Sequence, residues 1–325
     1  MLGEPLVPRR RAVSDESVFD FAQRRIGREA AKVLVDALVT GIWAGNVEDL
    51  SLASAFPKLA AIERDHGGLL RGMVAGGPTR GRLTSFPNGL TELTDALAEA
   101  VGPRLRLGAR VTKIERLPRG GFRLAVDGGP PREAVAVVLA CPAWLASPLL
   151  ANVDGPLAAA VAGIPAVGVA VLHLGFTREE AAGLRGFGFL VPRGESASVL
   201  GVSIPSNLFP GRAPDGHVLA TVMLGGARDP SAVEATDQEL INHACVGARK
   251  VRRNSGGAAV RARDTAPARD SPVRARPRRS IGRGRGAASR APGLFLAGNS
   301  YRGIAINSCL AEAPSIAGGV ASFLR

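Results

Sequence analysis

The 325 residues predict an α/β protein, and three observations carry that expectation. The first is Leu294 to Leu310, which reads as a buried strand, a turn at Gly298-Asn299, a tight loop at Gly303 and a helix. That helix starts near Asn307 and runs to the C-terminus, with Ile316, Val320 and Leu324 on its apolar side. The second is Ala134 to Ala140, a near-continuous apolar run stopped by Pro142, as expected of a strand covered on both faces. The third is a set of strand-like runs at Val167 to Phe176, Phe187 to Val191, Ser198 to Ile204 and Val218 to Leu224.

The N-terminal third reads as helical. Ser14-Asp15-Glu16 offers a helix start, and Val18, Phe19, Ala22 and Ile26 give that helix an apolar side. Arg28 opens a second helix with Ala31, Leu34, Val35, Leu38 and Ile42 at helical spacing, a stripe expected to pack mostly into a core. Leu83 to Phe86 reads as a short strand, Pro87-Asn88-Gly89 as a turn, and Leu90, Leu93, Leu97 and Val101 as one face of a helix. Arg104 to Leu107, Ala109 to Arg116 and Phe122 to Asp127 read as strands, the last two split by Arg119-Gly120-Gly121. Leu240 to Ala244 begins a helix, and the pattern ends at about Cys245.

Composition narrows the functional classes. Cys141, Cys245 and Cys309 lie far apart without metal-ligand spacing and suit a reducing cytoplasm. His66, His173, His217 and His243 are scattered and read as structural or surface residues. No apolar run is long enough to span a membrane, and Met1 leads into a Pro- and Arg-containing stretch unlike a signal peptide. The net charge is +13, but residues 246–290 hold 13 Arg and Lys250 against Asp264 and Asp270, so that segment carries nearly all of it. The basicity is one segment and not a protein face, so nucleic acid is not expected as a partner.

The C-terminal segment has its own chemistry. A helix N-terminus presents free N–H groups and partial positive charge, which suit an anion or an electron-rich ring. An ordinary strand-to-helix connection explains the same pattern. The wording Gly298-Asn299-Ser300-Tyr301-Arg302-Gly303-Ile304-Ala305-Ile306-Asn307-Ser308-Cys309-Leu310 resembles the C-terminal flavin motif G-[NA]-[SA]-Y-x-G-[VI]-[GA]-[VI]-N-D-C-I of the protoporphyrinogen oxidase family. These are oxygen-dependent FAD enzymes of haem synthesis within the amine-oxidase-like flavoproteins. Ser308 departs from the family's usual Asp. The segments Ser17 to Gly27 and Thr40 to Asn46 are similar to the family's S-V-x-x-F-A-x-R-R-x-G helix and G-[IV]-[FWY]-A-G-[ND] turn. Ser51-Leu52, Ala55-Phe56-Pro57, Ser85 to Leu90 (with Asn88 for Gly), Gly186 to Pro192 and Val222 to Gly226 follow in family order.

The resemblance implies FAD as cofactor, with Val111 at the adenine and Asn299, Ile304, Ala305 and Ile306 around the flavin. It places Leu38, Gly41, Phe187, Leu190 and Met223 in the wall of a tetrapyrrole pocket, and large apolar faces suit such a ring. No side chain is assigned an acid–base role, and no metal is expected. The implied reaction is the FAD- and O2-dependent six-electron oxidation of protoporphyrinogen IX to protoporphyrin IX, releasing H2O2. Coproporphyrinogen III is the alternative substrate. A non-enzymatic remnant, or a nucleic-acid binder acting through the basic segment, is the reading from another class. The resemblance further implies a homodimer and a peripheral contact on the inner face of the cell membrane.

Two departures qualify these expectations. No G-x-G-x-x-G opens a strand–helix unit, and Glu4 to Arg10 resembles text from well inside family members. The expected fold is therefore a three-layer FAD-binding domain lacking its first βαβ unit, interleaved with an α+β substrate domain, in a chain impaired as an oxidase. The second departure is residues 246–290, which contain no Leu, Met, Phe, Tyr, Trp or Glu. Codons for Asp270 to Pro277 exist that, read one nucleotide later, give Ile-Pro-Gln-Tyr-Glu-Arg-Gly-His, the family's I-P-Q-Y-x-x-G-H motif. A disordered insert, a solvated linker and a frameshifted stretch all stay open, with the frameshift preferred. The expected organisation is a helical membrane-docking and substrate region over 1–75, part of the FAD domain over 76–150 and a substrate-binding sheet domain over 151–245. An aberrant or disordered segment follows over 246–290, then the flavin motif and helix over 291–325.

Overall fold

The computed structural model describes residues 4–10, 15–76, 81, 83–196, 198–251, 261–262, 291–302 and 305–325. The chain divides into two compact units, residues 1–99 with 167–272 and residues 100–166 with 273–325. In chain order the helical region contains α1 (Val18–Ile26), α2 (Asp36–Trp43), α3 (Pro57–His66), α4 (Leu69–Gly76) and α5 (Thr91–Val101). Then come β1 (Val111–Arg116), β2 (Phe122–Val126), β3 (Arg132–Ala134), β4 (Val137–Leu139), α6 (Ala143–Leu150) and α7 (Gly155–Ala162). The second strand region holds β5 (Val169–Thr177), β6 (Gly188–Leu190), β7 (Val199–Ser203) and β8 (His217–Gly225), followed by α8 (Asp237–Val251). Last are β9 (Arg261–Ala262), β10 (Leu294–Leu296), α9 (Asn299–Arg302) and α10 (Ile306–Phe323).

The first unit joins helices to a five-stranded antiparallel sheet in the order β6-β7-β8-β5-β9. Alternation builds its core. Leu172, Leu174 and Phe176 of β5, and Val218, Ala220, Val222 and Leu224 of β8, bury one face together with Leu240 and Ala244 of α8. Helix α1 begins at Ser17, whose Oγ accepts from Asp20 N at 3.0 Å. This cap lies beyond the expected Ser14-Asp15-Glu16, because Ser17 is held extended in an antiparallel bridge with Ser51. Ser14 itself lies outside the described residues.

The second helical stripe is corrected by the structure. Residues Ala31–Val35 form a π-helical turn before α2. Leu34, Leu38 and Ile42, expected in the core, are 55%, 47% and 46% exposed. Asp36, Ala37, Val39 and Thr40 are the buried residues of α2 instead. The reason is electrostatic: Asp36 pairs with Arg228 and Arg193.

The second unit has an antiparallel β1-β2-β3 sheet and a parallel β4–β10 pair. Ile114, Phe122, Leu139, Leu150, Leu157, Leu294 and Leu296 form its core. Asp154 caps α7, with Leu157 N donating to Asp154 Oδ1 at 3.0 Å.

Other expectations also fail. Leu83 to Phe86 pairs with no strand among the described residues. Arg104 to Leu107 is not a strand either, since Gly102–Arg104 is a 3-10 turn containing Pro103, whose fixed φ suits it. The run Ala134 to Ala140 is split between β3 and β4, which belong to different sheets. Val135 and Val138 are exposed while Leu139 is buried, so the run is not covered on both faces. Helix α8 passes the expected stop at Cys245 and runs to Val251. The expected Arg-rich segment lies outside the described residues over 252–260 and 263–290.

Candidate functional site

Several of the residues expected at the substrate lie on the sheet of the first unit, on the face away from its core. Leu190 pairs with Gly201, Gly201 with Met223, and Met223 with Val171, so one row crosses four strands. A bulge between Val199 and Gly201 sets that register, placing Leu200 inside at 1% exposure. Helix α2 lies against β6 and β7 at this row. The Leu190 side chain fills the space at Gly41, where any Cβ would overlap Leu190 Cδ2. Leu38 stands one turn before Gly41. Thus Gly41, Leu190 and Met223 come together, with Leu38 at their border. Phe187 stands apart, 57% exposed before β6 and separated from Leu190 by Gly188 at φ +145°. The result is an apolar sheet face that α2 partly covers, with Leu190 seated at Gly41 and Leu38 and Val171 left part-exposed.

The residues expected around the flavin lie in the second unit, after β10. Ala297 N donates to Leu139 O at 2.9 Å, and Gly298 turns the chain with φ +102°. The close approach that Gly298 provides is to the Ala140 carbonyl, 3.2 Å from where a Cβ would stand. Ser300 Oγ accepts from Ala143 N at 3.1 Å, fastening α9 to the start of α6. Asn299 is exposed at the first residue of α9. Ala305 is the extended N-cap of α10, without a side-chain cap, and its carbonyl accepts from Ser308 N at 2.9 Å and Cys309 N at 3.1 Å. Ile306 opens the helix at 46% exposure, one residue before the expected start at Asn307. Ile304 lies outside the described residues. Val111 sits half-buried at the start of β1, packed on the core that also holds Leu294 and Leu296.

This end is suited to an electron-rich or anionic group. An uncapped helix end offers backbone N–H groups and positive potential beside exposed Asn299 and Ile306. The Tyr301 hydroxyl is buried without a partner, and burial, helped by Cys141, pushes it up to about 12. For the pyrophosphate end, the 325 residues hold no G-x-G-x-x-G loop.

Two ionic clusters escaped the sequence reading. In the first, Asp36 accepts from Arg228 Nη2 at 2.9 Å and from Arg193 Nη2 at 3.3 Å. The Arg228 side chain is 1% exposed, donates also to Val191 O at 2.6 Å, and is pulled below the usual guanidinium value by burial. This cluster turns α2 so that its charged side faces in and the leucine stripe faces out. In the second, buried Arg25 pairs with Glu4 at 3.2 Å and with Glu63. Glu4 also accepts from Leu69 N at 2.8 Å and Leu70 N at 3.2 Å, capping α4. Burial alone would raise the Glu63 carboxyl, but hydrogen bonds from Arg24 and Arg25 bring it below the usual carboxylate range. The visible signal for the first cluster was a lone Asp inside Val33-Leu34-Val35-Asp36-Ala37-Leu38-Val39. No metal-binding cluster of His, Cys, Asp or Glu occurs among the described residues.

The flavin-containing amine oxidoreductase family model matches residues 5–320. A protoporphyrinogen oxidase from Homo sapiens is 35% identical over 66% of this chain and 48% of its own length. A coproporphyrinogen III oxidase from Bacillus subtilis is 25% identical over 98% of this chain and 70% of its own. The fold matches, with a TM-score of 0.75 and 24% identity, a crystal structure from Exiguobacterium sp. 255-15 described as a candidate protoporphyrinogen oxidase. That match covers 98% of this chain and 70% of the other. The chain spans about half the length of the curated protoporphyrinogen oxidases it matches.

Proposed function

Because the chain belongs to the flavin-containing amine oxidoreductase family, we propose that it is a porphyrinogen oxidase by descent, using FAD and O2 and impaired for want of a pyrophosphate loop. The reaction in this reading is the six-electron oxidation of protoporphyrinogen IX to protoporphyrin IX, with H2O2 as co-product. The observation that carries it is the apolar row of Leu190, Gly201 and Met223 on the sheet face away from the core, bordered by part-exposed Leu38 of α2 and Val171 of β5. A large apolar macrocycle buries area on such a wall, while few polar groups are needed to orient it. Bound flavin would take up the hydride equivalents and pass the electrons to dioxygen. Asn299, Ala305 and Ile306 would hold the ring end, and the first N–H groups of α10 would favour negative charge on a ligand there. Leu38, Leu190 and Met223 would position the substrate and exclude water. Val111 would support the adenine, and Phe187 would close the pocket edge.

Coproporphyrinogen III is the second reading, favoured by the Bacillus subtilis relative, which aligns with 98% of this chain. Membrane contact in this reading is peripheral and falls to the exposed Leu70, Met73 and Val74 of α4. No described helix is long and apolar enough to cross a membrane.

The test is made on the 325-residue chain. Added FAD should lose fluorescence on binding, and protoporphyrinogen in air should yield porphyrin emission faster with the protein than without it. Catalysis of coproporphyrinogen alone moves the assignment to the second substrate. A chain that neither binds FAD nor accelerates either oxidation refutes the proposal.

A further inference from the structure

We propose that Arg193 is a specificity-determining residue that binds a carboxylate of the substrate at the edge of the apolar wall. The inference rests on the porphyrinogen reading and deepens it by assigning recognition of the ring's acidic side chains.

Charge balance is the first observation. The Asp36 carboxylate is shared by two guanidinium groups, Arg228 on Oδ2 and Arg193 on Oδ1. One negative charge between two positive ones leaves a net positive charge. Arg228 cannot present it, since its side chain is 1% exposed and is also held by the Val191 carbonyl. The surplus therefore lies on Arg193, whose side chain is 51% exposed. Its bond to Asp36 is long, at 3.3 Å, and uses one of the five donors a guanidinium carries. Such a group can take a second carboxylate in bidentate geometry without giving up its anchor.

Position is the second observation. Arg193 follows Leu190 by three residues, a reach of at most about 10 Å along the chain. On α2, its anchor Asp36 precedes Gly41, the contact of Leu190, by five residues, or about 7.5 Å of helix rise. Both measures place the cation beside the wall and not within it. Natural porphyrinogens are apolar rings edged with carboxylate side chains. A ring on Leu190 and Met223 would carry its rim toward Arg193, where an unsatisfied charge and a charged side chain meet.

Flavin-free binding tests this. The full chain is titrated with protoporphyrin IX, coproporphyrin III and protoporphyrin IX dimethyl ester, following the porphyrin absorbance band. Arg193→Gln should weaken both free acids about tenfold, or about 1.4 kcal/mol, and leave the ester unchanged. Arg193→Lys should recover part of the loss, and added salt should narrow the gap between acid and ester. Equal weakening of acid and ester would mark Arg193 as structural and overturn the inference, as would no effect on any probe. Wild-type protein that binds none of the three overturns the porphyrinogen reading itself, and the inference with it. Circular dichroism of both variants checks that the Asp36–Arg228 pair still holds the fold.

Discussion

Replacing Asp36 with Asn is the sharpest test of how the wall is held. Asparagine keeps the shape of the side chain and removes its charge. Arg228 is then a cation at 1% side-chain exposure whose firm remaining partner is the Val191 carbonyl at 2.6 Å. Its Nε is already buried without a partner, so no other group stands ready to compensate. Breaking a buried pair by removing one partner costs about 3–5 kcal/mol. The Asn carbonyl can still accept one bond, which places the expectation near the lower end, about 3 kcal/mol. Arg193, half in solvent, adds about 0–1 kcal/mol. Against a typical total stability of about 5–15 kcal/mol, this is a large loss. Urea unfolding at neutral pH, read by circular dichroism, measures it directly. The double variant Asp36→Asn with Arg228→Met should recover most of the loss, because it removes the stranded charge together with its partner. A single-variant cost under about 1 kcal/mol, or a double variant worse than the single, refutes the reasoning.

Three further outcomes follow from the same geometry. Gly41→Val should cost about 1–3 kcal/mol, since its Cβ overlaps Leu190 Cδ2, and should weaken porphyrin binding in the flavin-free titration; an unchanged melting curve would show that β6 yields freely. Glu63 is held below the usual carboxylate range in the fold, so its stabilisation is present above the ordinary unfolded value and is lost as pH falls through the depressed one; wild-type urea midpoints should drop more than those of Glu63→Gln between pH 6 and 3, and parallel curves would remove Glu63 from the acid response. Tyr301→Phe removes a buried hydroxyl that has no partner, so stability should stay equal or rise by about 1 kcal/mol; a clear loss in urea melts would reveal a hydrogen bond to that hydroxyl.

Much of the fold was readable because it rests on local pattern. The alternation in β5 and β8 is written in consecutive residues, and both strands appear where expected. The reading failed where the deciding partner was remote. Ala134 to Ala140 looked like one doubly covered strand, yet the faces of a strand are set by what packs on it and not by its own residues. The residues expected at the flavin ring come from one contiguous motif and from the resemblance it carries. Val111 entered only through resemblance, because nothing in Val111-Thr112-Lys113 itself speaks of a ligand.

Helix α2 shows why the site and the fold could not be read by the same rule. Periodicity alone assigns Leu34, Leu38 and Ile42 to the core, since apolar burial is the usual driving force. Asp36 sits on the opposite side and can be inside only if something neutralises it. Arg228 does so from 192 positions away, a pairing that no window of sequence contains. Once that pair forms, rotation of the helix is settled: turning the leucines inward would drive Asp36 out and strand Arg228, at about 3–5 kcal/mol. Full burial of a single leucine returns only about 1.5–3 kcal/mol, and these leucines are already about half covered. Turning all three inward together would return about 2–4.5 kcal/mol, so the buried ion pair matches or exceeds the whole return and holds the orientation. It keeps an apolar stripe facing outward beside Gly41 and Leu190, which is the condition a large apolar ligand requires.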